Sequence, residues 1–260
     1  MSADRKALAE IMQRAGKLVR ELEQSDISEK AVLDYVTNVD HRLDAFLTRE
    51  LAALTPDIPV YSEERPIERA GGDFWIIDPI DGTHNMIAGL PFFAVCAALF
   101  KDGAAYMAAV HDIASGSLYM AERDYGATLD GTPLKLPQQP STLIAVSSGA
   151  LDAMNARPEI YNPLRKLGKL RNLGSQALHI AFVADGRFGF TLSQEARFWD
   201  DAAARLIAEE AGARYRSFAA DGEEDYLATG LSGAPLQSLC AHPALFDKTA
   251  LLLSELWPGT

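Results

Sequence analysis

The sequence predicts an α/β protein, in detail an α+β half followed by an α/β half, and three observations point there. Near the start, Leu8, Ile11, Met12, Ala15, Leu18, Val19 and Leu22 recur at steps of three and four with charges between them, which is an amphipathic helix. The middle of the chain changes to short apolar runs separated by glycine-containing turns, the pattern of an antiparallel sheet. The second half alternates short apolar runs with helical stretches, as helices covering a sheet do.

In chain order, the first helix is followed by Tyr35-Val36-Thr37-Asn38-Val39-Asp40, an extended polar link with Asp40 near the start of a second helix. That helix carries Leu43, Phe46, Leu47, Leu51 and Leu54 and stops before Pro56. Phe74-Trp75-Ile76-Ile77 reads as a buried strand ending at Asp78-Pro79. Segments 92–100, 104–113 and 117–122 read as strands joined through Lys101-Asp102-Gly103 and Ala114-Ser115-Gly116, and Asp130-Gly131 marks another turn. The linker Leu136-Pro137-Gln138-Gln139-Pro140-Ser141 divides the chain into halves 1–138 and 139–260. Beyond it, strands are expected at 143–146 and 188–192, helices at 175–184 and 200–211, and further short strands after them.

Composition narrows the function. Over 260 residues, 24 Lys and Arg against 36 Asp and Glu give a net charge of −12, which argues against nucleic acid or an anionic membrane as partner. Cys96 and Cys240 lie far apart, form no zinc-type cluster, and read as small core residues of a reduced, cytoplasmic protein. The start, MSADRKALAE, is charged and shows no secretory pattern. The uncharged run 82–100 contains His84, Asn85, glycines and Pro91, so it reads as a turn and a buried strand, not a membrane span. No P-loop, GxGxxG, HExxH or GxSxG occurs.

The chemistry concentrates in acidic groups at element ends: Glu63-Glu64, Asp78, Asp81 and Asp200-Asp201. In Asp78-Pro79-Ile80-Asp81-Gly82-Thr83, Asp78 ends an apolar strand, Pro79 fixes the next backbone step, and Asp81 returns across a tight turn. Gly82 permits close backbone approach, and Thr83 suits the N-cap of a short helix. Two carboxylates and a carbonyl can then converge on one point, and hard oxygen ligands without His or Cys suit Mg²⁺. Singly, each element has a plainer reading: Glu64 as a solvated loop acid, Asp201 as a helix cap, His84 at a pocket edge, Trp199 as packing beside Asp200.

Asp78 to Thr83, followed by Asn85, resemble the signature of the inositol monophosphatase family of metal-dependent phosphatases. Ser62-Glu63-Glu64, with Glu63 15 residues before Asp78, agrees in order and spacing, as do Trp199-Asp200 opening an alanine-rich helix and the early Thr37-Asn38-Val39-Asp40. The resemblance covers nearly the whole chain and implies the layered αβαβα sandwich of the inositol monophosphatase and fructose-1,6-bisphosphatase type. It further implies that Glu63, Asp78, the Ile80 carbonyl, Asp81 and Asp200 hold two or three Mg²⁺ ions. Asp40 and Thr83 would pair and, with Glu63, prepare the attacking water, while Gly82 and Thr83 amides bind phosphate oxygens.

Gly174-Ser175 matches a family loop that meets the substrate alcohol, and Asp81, Asp200 and the position of Ser193 belong to the same substrate set. Inositol-preferring members carry Glu seven residues before the Trp-Asp aspartate; here Ser193 stands there, with Glu195 nearby, Gln176 replaces a usual small residue, and Met86 replaces a common Phe or Tyr. The implied activity is Mg²⁺-dependent, lithium-sensitive hydrolysis of a small phosphorylated alcohol, with myo-inositol monophosphate the leading substrate, by a cytoplasmic homodimer. Alternatives in the family are histidinol phosphate, a 3′-phosphonucleotide, NADP or a sugar bisphosphate. From another class, a non-catalytic binding or regulatory protein could keep the fold.

Overall fold

The computed structural model describes residues 3–22, 27–31, 34–65, 72–218, 226–228 and 231–256. Helices α1 (Ala3–Glu21) and α2 (Asn38–Leu54) flank a short antiparallel hairpin of β1 (Ile27–Ala31) and β2 (Asp34–Thr37). A seven-stranded sheet follows in simple sequence order: β3 (Val60–Ser62), β4 (Phe74–Asp81), β5 (Ala94–Lys101), β6 (Ala104–Asp112), β7 (Leu118–Glu122), β8 (Gly126–Leu129) and β9 (Thr132–Leu134). Its pairs are antiparallel except β3 with β4. The short helix α3 (Thr83–Ala88) lies between β4 and β5.

The remaining elements are β10 (Leu143–Val146), α4 (Ser148–Ala156), α5 (Pro158–Arg165), β11 (Lys169–Arg171), α6 (Gln176–Ala184), β12 (Phe190–Ala196), α7 (Phe198–Ala211), β13 (Arg214–Ser217), β14 (Leu236–Ala241) and α8 (Pro243–Leu256). Their strands form a five-stranded sheet in the order β11-β10-β12-β14-β13.

Burial stacks these elements in five layers, αβαβα. One face of the large sheet (Trp75, Ile77, Val95, Ala97, Leu99) packs on Leu8, Met12, Leu43, Leu47 and Leu51 of α1 and α2. Its other face (Phe74, Ile76, Cys96, Ala98) packs on α6 and α7, which the small sheet covers from beyond through Ala145 and Cys240. The outer face of the small sheet is closed by α4, α5 and α8. Each fully buried Leu or Phe in these layers contributes about 1.5–3 kcal/mol. Leu8, Ile11, Met12, Ala15 and Val19 of the helix pattern form α1's buried stripe, Leu18 and Leu22 (the latter just past the helix) are partly buried beside it, and both cysteines are buried and unbridged. The turn at Lys101-Asp102-Gly103 is left-handed at both central residues (φ 50° and 76°), as a two-residue hairpin requires.

Several elements differ from the sequence expectation. Strand β4 does not end at Asp78 but runs on to Asp81. Its pairing with β5 passes from Asp78↔Cys96 to Asp81↔Ala94, three steps against two, so a bulge and not a tight turn separates the aspartates. Pro79 sits within the bulge, where a missing N–H costs no ladder bond. Strand β3, the pair β8 and β9, and helices α4, α5 and α8 were not anticipated; most are short or carry weak periodicity, and tertiary packing decides them.

Candidate active site

The bulge in β4 is the first device of the site. In a regular strand, residues three apart point to opposite faces. The extra residue puts Asp78 and Asp81 across from Cys96 and Ala94, which share one face, while Ile80 turns to the other and packs with α2's layer. Both carboxylates therefore face the layer that carries α6 and α7.

Asp78 is 1% exposed, and neither of its carboxylate oxygens meets a hydrogen-bond donor among the described residues. One oxygen each of Asp78, half-buried Glu63 and half-buried Asp200 lie within 4.8 Å of one another. Burial, then the charges of Glu63, Asp200 and Asp81, push the Asp78 carboxyl well above the usual range. Asp200 is raised in the same way by burial, Asp81 and Glu63. A buried carboxylate that meets no donor, such as Asp78 beside two further acids, is expensive unless a cation lies against it. The donor set is all oxygen, so the residues present fit Mg²⁺.

Each acid is held from a different element. Glu63 follows β3, its N–H donating to Ile77 at 3.3 Å. Asp200, in the first turn of α7, accepts from the N–H of the N-cap residue Arg197 at 2.8 Å. Asp81 is gripped by the start of α6: the Ser175 hydroxyl donates to it, with the Gln176 N–H at 3.2 Å and the Ala177 N–H at 2.8 Å. Burial raises Asp81 to about 6 against the opposing pull of those donors. Asp40 stands in the first turn of α2, one carboxylate oxygen held by the Thr37 N–H (2.9 Å) and hydroxyl in a capping box. Its other oxygen faces the Thr83 hydroxyl at 3.1 Å, and the Ile80 carbonyl lies 3.0 Å from the same hydroxyl.

Thr83 is not the N-cap of α3. Gly82 occupies that position with φ 95°, a conformation in which a Cβ would come within 2.9 Å of the Phe92 carbonyl and 3.1 Å of the Gly174 carbonyl. Thr83 is thereby moved into the helix and its hydroxyl released toward Asp40. Asn85 clamps the site's rim, donating to the Phe92 and Leu173 carbonyls at 2.6 Å each.

A cavity of about 200 Å³ is lined by Glu63, Asp78, Ile80, Asp81, Gly82, Thr83, His84, Gly174 and Asp200. A larger groove of about 800 Å³ between β13 and α8 holds none of the predicted site residues. Of those residues, Asp40 stands behind Thr83, and Ser175 turns its hydroxyl to Asp81. Ser193 is fully buried in β12 and bonds its own strand at an irregularity in the pairing with β14, accepting from the Glu195 and Ala196 N–H groups, and it does not line the cavity. Glu195 is itself engaged by the Gly149 N–H at 2.9 Å. Asp201 is not a helix cap: Arg197 holds that position, and Asp201 is fully buried and accepts from Gln176 and Tyr215. Asn85's clamp and the Asp201 network were missed as site features because a lone amide or a second acid in a pair carries no spacing signal.

Fold and site together define a class, an αβαβα sandwich with a carboxylate-lined pocket suited to a hard divalent cation. The chain belongs to the inositol monophosphatase family, whose profile matches residues 1–253. It is 32% identical over 200 residues to the inositol-1-monophosphatase of Rhizobium meliloti (strain 1021), covering 74% of this chain and 75% of that protein. It is also 32% identical over 216 residues to the Nus factor SuhB of Escherichia coli (strain K12), covering 79% of each. Among solved structures, the extragenic suppressor protein suhB from Bartonella henselae superposes with a TM-score of 0.83 at 25% identity over 100% of both chains. An IMPase/NADP phosphatase complexed with Mg²⁺ and phosphate shares the fold with a TM-score of 0.76 at 24% identity, covering 95% of this chain and 92% of that one.

Proposed function

We propose that this chain is a Mg²⁺-dependent phosphomonoesterase acting on a small phosphorylated alcohol, with myo-inositol monophosphate the leading substrate. The observation that carries the reading is Asp78, buried beside Glu63 and Asp200 with two oxygens that meet no partner among the described residues. Glu63, Asp78, the Ile80 carbonyl, Asp81 and Asp200 would hold the cations, two or three in number. Bound Mg²⁺ would supply charge neutralisation at the phosphate and a lowered pKa for a bound water.

The protein's own groups account for the rest. Asp40 is an oriented acceptor, because Thr37 holds one oxygen and leaves the other for Thr83. A Thr83 hydroxyl donating to Asp40 presents its lone pairs outward to accept a hydrogen bond from a water oriented with Glu63, so that as the water's proton passes to Thr83 the hydroxyl's own proton passes to the Asp40 carboxylate. Gly82 and Thr83 line the cavity, and their amides would bind phosphate oxygens there. Gly174, whose carbonyl lies close against Gly82, lines the same cavity, where the alcohol would lie. Ser193, buried in β12 and outside the cavity lining, does not enter this reading as a substrate contact.

Phosphate release across a panel of myo-inositol monophosphate, histidinol phosphate, a 3′-phosphonucleotide, NADP and a sugar bisphosphate tests the proposal. Activity should require Mg²⁺ and fall with Li⁺, and Asp78→Asn should lower kcat by at least about 10³-fold, since charge stabilisation at the transferring phosphoryl is the main catalytic contribution. No phosphate release from any of these substrates in saturating Mg²⁺ would overturn it. The similarity to a Nus factor favours one second reading, a binding or regulatory protein on this fold, for which Mg²⁺ binds and no substrate turns over. The enzyme reading also carries the cytoplasmic, homodimeric expectation; no helix among the described residues is long and apolar enough to cross a membrane.

A further inference from the structure

Asp201 lies one residue beyond Asp200 on α7, yet it points the other way, into the core, where it is fully buried. One of its oxygens accepts from the Gln176 side-chain amide at 2.9 Å, and the other accepts from the Tyr215 hydroxyl on β13 at 2.6 Å. The Ser238 hydroxyl on β14 is a further donor. Gln176 is the first residue of α6, and its backbone N–H, with that of Ala177, grips Asp81. A carboxylate accepts only, so the NH₂ end of Gln176 must face Asp201. Its carbonyl end, Oε1, is then left buried with no partner among the described residues.

A burden of this kind is not needed to hold two helices that already pack through Ala177, Ala181, Ala203 and Ala204. What the amide connects is specific. On one side is the helix start that fixes Asp81, and on the other the helix turn that carries Asp200. Resting on the Mg²⁺-binding reading above, we infer that Gln176 and Asp201 form a positioning pair that sets the separation of Asp81 from Asp200. The pair touches neither cation nor substrate and acts through the two ligands it ties together. Groups behind metal ligands fix ligand orientation, and their loss typically weakens metal affinity or activity on the order of 10-fold or more.

The substitutions separate the tie from the charge. Gln176→Ala removes the tie and keeps the Asp201 charge. Asp201→Ala removes both. Asp201→Asn removes the charge but can keep the tie, because Gln176 can turn its amide by half a revolution and use Oε1 to accept from the new carboxamide. Isothermal titration with Mg²⁺ alone, with thermal unfolding to verify that each chain is folded, reads the outcome; kcat and KM on the best substrate complete it.

Gln176→Ala and Asp201→Ala should each weaken Mg²⁺ binding by about 10-fold, with the loss falling on kcat more than KM. Asp201→Asn should stay within about threefold of wild type, the conservative variant rescuing the tie. Should Asp201→Ala fail to fold, Gln176→Ala alone carries the comparison. Unchanged Mg²⁺ affinity in Gln176→Ala would overturn the inference, and so would an Asp201→Asn loss equal to that of Gln176→Ala. If the wild-type chain itself binds no Mg²⁺, the parent reading falls with it, and the two failures are distinct.

Discussion

Asp81 illustrates how one side chain can serve two halves of the molecule. Its carboxylate is raised to about 6 by burial although three donors from α6 oppose the shift. The sign of the consequence follows from proton counting. Between an unfolded pKa near about 3.9 and a folded value near 6, the native chain binds more protons than the unfolded one. The Mg²⁺-free protein should therefore lose stability as pH rises from about 4 to about 6, with the raised Asp78 and Asp200 adding in the same direction. A cation competes with those protons, so apparent Mg²⁺ affinity should climb over the same interval. Urea midpoints and Mg²⁺ titrations at a series of pH values check both. A Mg²⁺-free midpoint that rises with pH would contradict the assignment.

At the scale of elements, the site is made where four helix or strand ends meet: the bulged end of β4, the end of β3, and the first turns of α6 and α7. The tightest of these junctions is the step from β4 into α3. Gly82 is left-handed there, with the Phe92 and Gly174 carbonyls within reach of any Cβ. Gly82→Ala should destabilise the chain by about 1–3 kcal/mol, read as a lower midpoint in denaturant. It should also lower kcat, because relief of the clash pushes the Gly174 rim away. The same substitution at Gly89, the C-cap of α3, meets nothing within 4 Å and provides the comparison: it carries the backbone strain without the crowding.

For the whole molecule, the acidic balance and the layering are connected. A net charge of −12 is paired with a carboxylate cluster that α7 and β4 bring together beneath one rim. A ligand that binds the native state alone stabilises it by RT ln(1 + [L]/Kd), about 2.7 kcal/mol at one hundred times Kd. For a chain of this length that corresponds to a Tm increase of roughly 5–10 °C. Mg²⁺ should produce it, a chelator should reverse it, and Asp78→Asn should abolish it. An equal Tm increase in Asp78→Asn would place the cation elsewhere.

The elements read at 8–22, 74–77, 92–100 and 175–184 were legible from their own apolar patterns, since burial dictates apolar spacing, and the structure places them at Ala3–Glu21, Phe74–Asp81, Ala94–Lys101 and Gln176–Ala184. The acids Glu63, Asp78, Asp81 and Asp200 were legible because they stand at element ends in a characteristic order. By itself the sequence determined, through local pattern and spacing, the α/β class and which acidic groups stand at element ends, while the layered sandwich and the family were what its resemblance to a known family implied. It did not reveal that β4 continues through Pro79, that a bulge turns both aspartates to one face, or that Gly82 displaces Thr83 from the cap. Nor did it reveal that Ser193 turns inward or that Asp201 is a buried anchor for Gln176. Those facts depend on which strand pairs with which and on contacts between residues far apart in the chain, such as Asp81 with Ala177. Only the tertiary structure decides them, because a side chain's direction at a bulge or a helix start is fixed by the partners across the sheet and between the layers.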